Sequence, residues 1–214
     1  MYKLSMLFIL FLIYSIIGWI IETIFCSIDQ KKIADRGFLI GPICPIYGFG
    51  GTFMTLLLTK YLDDPLALFI MAIVICSILE YLTSYIMEKL FNTRWWDYSD
   101  KRFNINGRIC LSNAVCFGFL GIILLYFVNP FLIALLSKIP ENILVITAII
   151  LSILLIFDFI MSMVIVGNFT KDAKLVKEDS SNDINSKIRE YLINKSTWFK
   201  RLVKAFPDFI YLKK

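Results

Sequence analysis

Polar residues are scarce over most of this chain, and they divide it into five long apolar stretches at about residues 4–28, 43–61, 66–88, 109–128 and 143–167. A helix needs roughly 18–20 apolar residues to cross a hydrocarbon core of about 30 Å. The pattern therefore predicts an all-α, polytopic membrane protein with five transmembrane helices. The first stretch holds Glu22 and has no small-residue cleavage site, which marks a span rather than a removable signal peptide. Apolar residues continue past Asn129-Pro130 to Leu136, either lengthening the fourth helix or lying along the outer interface.

The pattern changes at Lys171, which separates a transmembrane domain, 1–170, from a cytoplasmic tail, 171–214. In the tail Ile184, Ile188, Tyr191, Leu192, Trp198, Phe199, Leu202, Val203 and Phe206 recur at helical spacing, with Lys195, Lys200, Arg201 and Lys204 between them. A basic amphipathic helix on the anionic lipids of the inner leaflet fits this spacing. The alternative is a solvated tail whose charge only enforces topology.

Composition agrees with a membrane protein: 58% of residues are hydrophobic and the mean hydropathy is +0.75, above the roughly 45–50% apolar content of soluble domains. Charge gives direction. Five crossings put Lys3, Lys60 and Lys138 on one side and the other nineteen basic residues on the other, so the N-terminus is outside and the C-terminus inside. If the second stretch dips in and returns, the division is five against seventeen with both termini inside. Residues 1–170 carry eleven basic and eleven acidic side chains, and 171–214 carry eleven and six, so the net +5 belongs to the tail. Localisation in the cell membrane follows.

Some chemistry is excluded. No histidine occurs, which removes His metal sites and His-based triads or dyads within the chain. The five cysteines lie in or beside spans, so structural disulfides are not expected. No phosphate-cradling Gly-x-x-x-x-Gly-Lys loop is present, so ATP hydrolysis is not expected here. No cofactor, metal or nucleic acid is expected.

Glu22, Glu80 and Asp158 lie within the predicted spans, where an ionised side chain costs at least ~2.5–3.5 kcal/mol near the helix centre and must face the bundle interior. Ser15, Gly18, Glu22 and Cys26 share one helix face, and Ser77, Glu80, Ser84 and Glu88 another. All three span carboxylates fall in the cytoplasmic half. Arg36, Arg94 and Arg108 are the nearby counter-charges, so the group is either a binding site or a clamp of carboxylate and guanidinium pairs. Between Gly41 and Gly51 two prolines and four glycines surround Cys44 and Tyr47, which predicts a broken or extended start to the second span. Such backbone survives at membrane depth where it is buried or lines a cavity. In the second inner loop, Trp95, Trp96, Asp97 and Tyr98 suit either an aromatic belt or a binding rim.

The segments Tyr14–Trp19 with Glu22, Arg36-Gly37-Phe38-Leu39-Ile40-Gly41-Pro42 continuing to Tyr47-Gly48, Glu80–Tyr85 with Glu88, Arg94–Ser99 and Asn106-Gly107-Arg108 together resemble the CmpB-like family of type IV ABC-transporter permeases. The resemblance covers roughly residues 7–130. It implies a permease component working with a separate ATPase subunit, for which the Lys89–Arg108 loop, with Arg94 and Trp96, is the expected coupling surface. It leaves room for a homo-oligomer and carries over no catalytic residue. The residues also admit an inner-leaflet enzyme acting on a lipid, with Glu22, Glu80 or Asp97 as acid or base and Arg94 or Arg108 on a phosphate, or a non-transporting scaffold.

Overall fold

The computed structural model describes residues 1–31, 36–178, 184–206 and 209–211. Four of its helices are long and apolar enough to cross a membrane: Tyr2–Ile28, Pro65–Phe91, Leu111–Leu136 and Glu141–Asp172. They belong to α1 (Tyr2–Gln30), α3 (Pro65–Phe91), the rod made of α4 (Leu111–Ile123) and α5 (Asn129–Leu136), and α6 (Glu141–Glu178). The stretch to Leu136 thus lengthens the fourth helix. A π-helical segment, Leu124–Val128, joins α4 to α5 just before Pro130, which cannot donate to the carbonyl four residues back. The wider turn absorbs that lost bond.

The second apolar stretch departs from the expected full-length span. Its helix α2 (Pro45–Leu58) has 14 residues, about 21 Å at the standard rise, followed by a single 3-10 turn, Thr59–Tyr61. Pro45 opens it, and the preceding segment from Phe38 to Cys44 is non-helical, as the glycines and prolines foretell. At the outer end Asp64 caps α3 by accepting from the Ala67 amide at 3.0 Å, and the Tyr126 hydroxyl donates to the Leu62 carbonyl.

Neighbouring helices alternate in direction. A Cβ at Gly18 would collide with the Tyr47 ring, Gly48 lies against Ser15, and Gly51 lies against Tyr14, so α1 and α2 run antiparallel in close contact. Asn113 at the start of α4 meets Glu80 late in α3, whereas Tyr126 beyond the end of α4 bonds Leu62 just before α3, which sets α4 antiparallel to α3, with Gly118 against Phe69 and Gly121 against Ala72. Leu144 and Ala148 of α6 join Ile9 and Leu10 of α1 in one buried cluster. The outward face of α6, including Ile153, Phe157 and Ile160, stays more than half exposed, as a lipid-facing surface requires.

The all-α expectation needs one amendment at the end of the bundle where α3 stops and α4 starts. Strands β1 (Thr93–Arg94) and β4 (Ile210–Tyr211) pair antiparallel, as do β2 (Asn104–Ile105) and β3 (Ile109–Cys110). The first ladder ties the tail to the second inner loop. Helix α6 itself runs through the 170/171 boundary to Glu178 and is followed by α7 (Ile184–Lys195) and α8 (Thr197–Ala205). The expected amphipathic pattern is present in α8, but its apolar side is covered by protein: Phe199, Leu202, Val203, Phe206 and Phe209 are buried with Phe91, Trp95 and Phe169. The Trp95 ring centroid lies 5.0 Å from Phe206 and 5.9 Å from Phe169. Trp198 remains 44% exposed beside the exposed Lys200 and Lys204.

Candidate functional site

Six elements converge at one end of the bundle. Helix α1 brings Glu22, the non-helical segment brings Arg36 and Cys44, and the first turn of α2 brings Tyr47. Helix α3 brings Glu80, the following loop Tyr98, and the first turn of α4 Asn113. The Cys44 amide donates to the Ser15 carbonyl at 3.1 Å, fixing the start of α2 beside the polar face of α1. Glu22 then accepts from the Tyr47 hydroxyl and from Cys44 Sγ at 3.7 Å, and Arg36 Nη1 lies 4.0 Å from its Oε1. Glu80, only 6% exposed, accepts from the Tyr98 hydroxyl at 3.3 Å and from the Asn113 side chain. No lysine or arginine among the described residues lies within 4.0 Å of Glu80. Burial, and then the Glu80 carboxylate, push the Tyr98 phenol well above its ordinary range, so it stays a neutral donor. The result is two sequestered carboxylates held mostly by neutral donors, with one loosely placed guanidinium.

A second group lies a turn or two further inward and is tightly paired. Arg108 makes two bonds of 2.9 Å to the two oxygens of Glu88, donates to Ser84 at 3.3 Å, and sits near the Tyr81 and Tyr85 rings at 5.6 and 5.4 Å. Arg94 bonds Glu88 at 3.1 Å and Asp97 at 3.4 Å. Trp96 Nε1 donates to the Arg108 carbonyl at 3.2 Å. Gly107, at φ +67, lets the hairpin turn where a Cβ would strike Asp97. Burial pushes the Asp97 carboxyl up, but the Ser99 hydroxyl and amide and the Arg94 guanidinium outweigh it and hold it below its usual range. Of the three counter-charges, Arg108 pairs with neither Glu22 nor Glu80, because the hairpin register brings it to Glu88, two turns beyond Glu80 on the same helix face.

Asp158 has a third role. Its two oxygens accept from the Ile40 and Gly41 amides, both at 2.9 Å, and Ser162 donates to it at 3.0 Å. These bonds satisfy backbone donors that the non-helical segment would otherwise bury unpaired. Arg201 from the tail donates to the Leu39 carbonyl at 2.7 Å and holds the same segment from the other side.

Of the residues the sequence singles out, Glu22, Arg36, Tyr47 and Glu80 come together in the first group. Arg94, Trp96, Asp97 and Arg108 form the second, and Asp158 stands apart. Sequence reasoning missed Tyr98, Cys44 and Asn113 as partners of the two carboxylates. Asn113 had a signal, being an amide inside the fourth apolar stretch; Tyr98 had none, since its place depends on how the loop folds back.

A family model described as "Putative ABC-transporter type IV" matches residues 9–163. The match takes in the last long helix as far as Met163, Asp158 included, beyond the roughly 7–130 of the motifs. Neither a curated protein nor a solved structure matches the chain.

Proposed function

Since the chain belongs to the ABC-transporter type IV family, we propose that it is the membrane permease component of a transport system whose ATPase is a separate subunit. Its substrate site is the Glu22, Tyr47, Glu80 and Tyr98 group. The observation that carries this is Glu80, a buried carboxylate without a basic partner within salt-bridge distance among the described residues, at the point where α1, α2, α3 and α4 meet. Ionisable groups so placed in membrane proteins characteristically serve ligand or ion pathways. The alternating helix directions support five crossings with the N-terminus outside and the tail inside, the second crossing built from the extended segment plus α2. The arginines that an inner-leaflet lipid enzyme would use on a phosphate, Arg94 and Arg108, are both engaged by carboxylates, which favours transport over that enzyme.

The same engagement moves the ATPase contact within the inner loop. Arg94 and Trp96 are half-buried in internal bonds, whereas Phe103 is 79% and Ile105 55% exposed, beside exposed Lys101 and Arg102. Phe103 is held at φ 53, a conformation rare for a bulky side chain. The exposed Lys101–Ile105 tip is therefore the coupling surface. Trp198, Lys200 and Lys204 are the tail residues offered to anionic inner-leaflet lipid.

Purification from the native membrane tests the transport role. An ATPase is expected to co-purify, and Phe103→Ala to weaken its retention more than Arg94→Ala at equal expression. Repeated isolation of the chain alone, without any ATPase, contradicts the role.

A further inference from the structure

An apolar cavity of about 120 Å³ lies immediately outward of the two-carboxylate group and opens sideways. Its floor is α2, with Tyr47 and Met54; one wall is α1, with Ile17 and Ile21; the other is the α4 rod, with Ile123 and Val128. The π-helical turn at Leu124–Val128 lies in that second wall. The size is close to the ~150 Å³ of an apolar cavity that stays dry and takes up a benzene-sized guest, so it suits a few methylenes of one hydrocarbon chain. Ile123, at the lip, is 49% exposed, on the side where lipid would lie.

The inner end of this groove is polar. Tyr47 lines the cavity with its ring and bonds Glu22 with its hydroxyl, and Ile21 precedes Glu22 on the same helix. The groove therefore ends at Tyr47, the residue that stands between it and the Glu22 and Glu80 carboxylates. Two carboxylates face one guanidinium there, at 4.0 Å from Glu22 only, so the vacant charge to be matched is positive.

We propose that the groove binds one acyl chain of an amine-headed phospholipid taken laterally from the inner leaflet, with the ammonium group placed between Glu22 and Glu80. The assignment rests on the two-carboxylate group being the binding site, and it names the substrate class. The ammonium supplies the charge that Glu80 lacks, and the hydrocarbon chain fills an apolar space that water would not occupy.

The test uses the whole chain in nanodiscs made of equal parts phosphatidylethanolamine, phosphatidylglycerol and phosphatidylcholine, followed by detergent extraction, washing and native mass spectrometry. Wild type is expected to keep one phosphatidylethanolamine with about tenfold preference over the other two. Ile123→Trp, which fills the groove from its exposed lip, is expected to lose that lipid by about tenfold. Glu80→Gln is expected to keep a lipid but lose the headgroup preference. Brominated phosphatidylethanolamine supplies a reading without any variant: bromine density between α1 and α4 is expected in the wild-type protein. Equal retention of the three headgroups, no loss in folded Ile123→Trp, or bromine spread evenly around the annulus overturns the proposal. Failure of ATPase co-purification does not bear on this binding, so the two claims fail separately.

Discussion

Two polar networks lie within a few helical turns of each other at the inner end of this bundle, and they are built on opposite terms. Around Glu88, charges meet charges at close range: Arg108 holds both carboxylate oxygens at 2.9 Å, and Arg94 bridges Glu88 to Asp97 at 3.1 and 3.4 Å. Around the buried Glu80 and the half-buried Glu22 the partners are phenols, an amide and a thiol, and the one guanidinium stands 4.0 Å away. A desolvated ion pair justifies its burial through geometry and hydrogen bonding, and the Glu88 network comes nearer to both, with only Arg108 Nε left without a partner among its guanidinium nitrogens. On the function proposed above, the contrast separates a clamp, whose charges are spent on each other, from a site, whose charge is kept for something that arrives.

The largest effect should come from breaking the clamp. Arg108→Ala leaves Glu88 with one partner and removes the link between α3 and the hairpin, which should cost about 3–5 kcal/mol. The thermal midpoint in nanodiscs should fall by on the order of 10 °C. Next comes Asp158→Ala, which strips the Gly41 amide of its acceptor and leaves the Ile40 amide only Ser162 Oγ at 3.1 Å, at ~1–3 kcal/mol for the orphaned group. Faster hydrogen exchange confined to residues 38–44, with the long helices unchanged, is the expected signature; uniform acceleration would mean that Asp158 does something else.

The smallest effect sharpens the clamp side by pH. Asp97 is held below its usual range in the folded chain, so its contribution is present above roughly pH 4 and is lost as pH falls through its native value. Being partly exposed, the group should contribute no more than about 1 kcal/mol. Melts between pH 7 and pH 3 should show a decline that Asp97→Asn flattens; an equal decline in both would remove Asp97 from the clamp.

The elements that follow from local pattern were legible in the chain. Long apolar runs forecast α1, α3, the α4–α5 rod and α6 to within a few residues at most ends, and the glycines and prolines before Tyr47 forecast the non-helical start of α2. The place where Arg36 meets Glu22 was also within reach, because the inner loop that joins their helices is short. What could not be read was register. Whether Arg108 meets Glu80 or Glu88 depends on where the hairpin lies against α3, and that is set by Gly107 and by the bond from Trp96 to the Arg108 carbonyl. The same gap hid Tyr98. The tail shows a different limit, since an amphipathic pattern says that α8 has an apolar face but not what covers it; Phe169, Trp95 and Phe91 do so ahead of lipid. Asp158 was visible as an odd carboxylate in a span, but its work, capping two amides more than a hundred residues earlier, belongs to tertiary structure alone.

One comparison tests the division most directly: the thermal midpoints of Glu80→Gln and Glu88→Gln, measured side by side in the same nanodiscs. Both replacements keep shape and remove one buried charge. Glu88→Gln deprives Arg108 and Arg94 of their shared counter-ion and should lower the midpoint by about 6 °C or more. Glu80→Gln removes a carboxylate that has no basic partner within salt-bridge distance among the described residues, so its midpoint should stay level or rise. A fall for Glu80→Gln as large as that for Glu88→Gln would make Glu80 part of the clamp and contradict its assignment as a binding group.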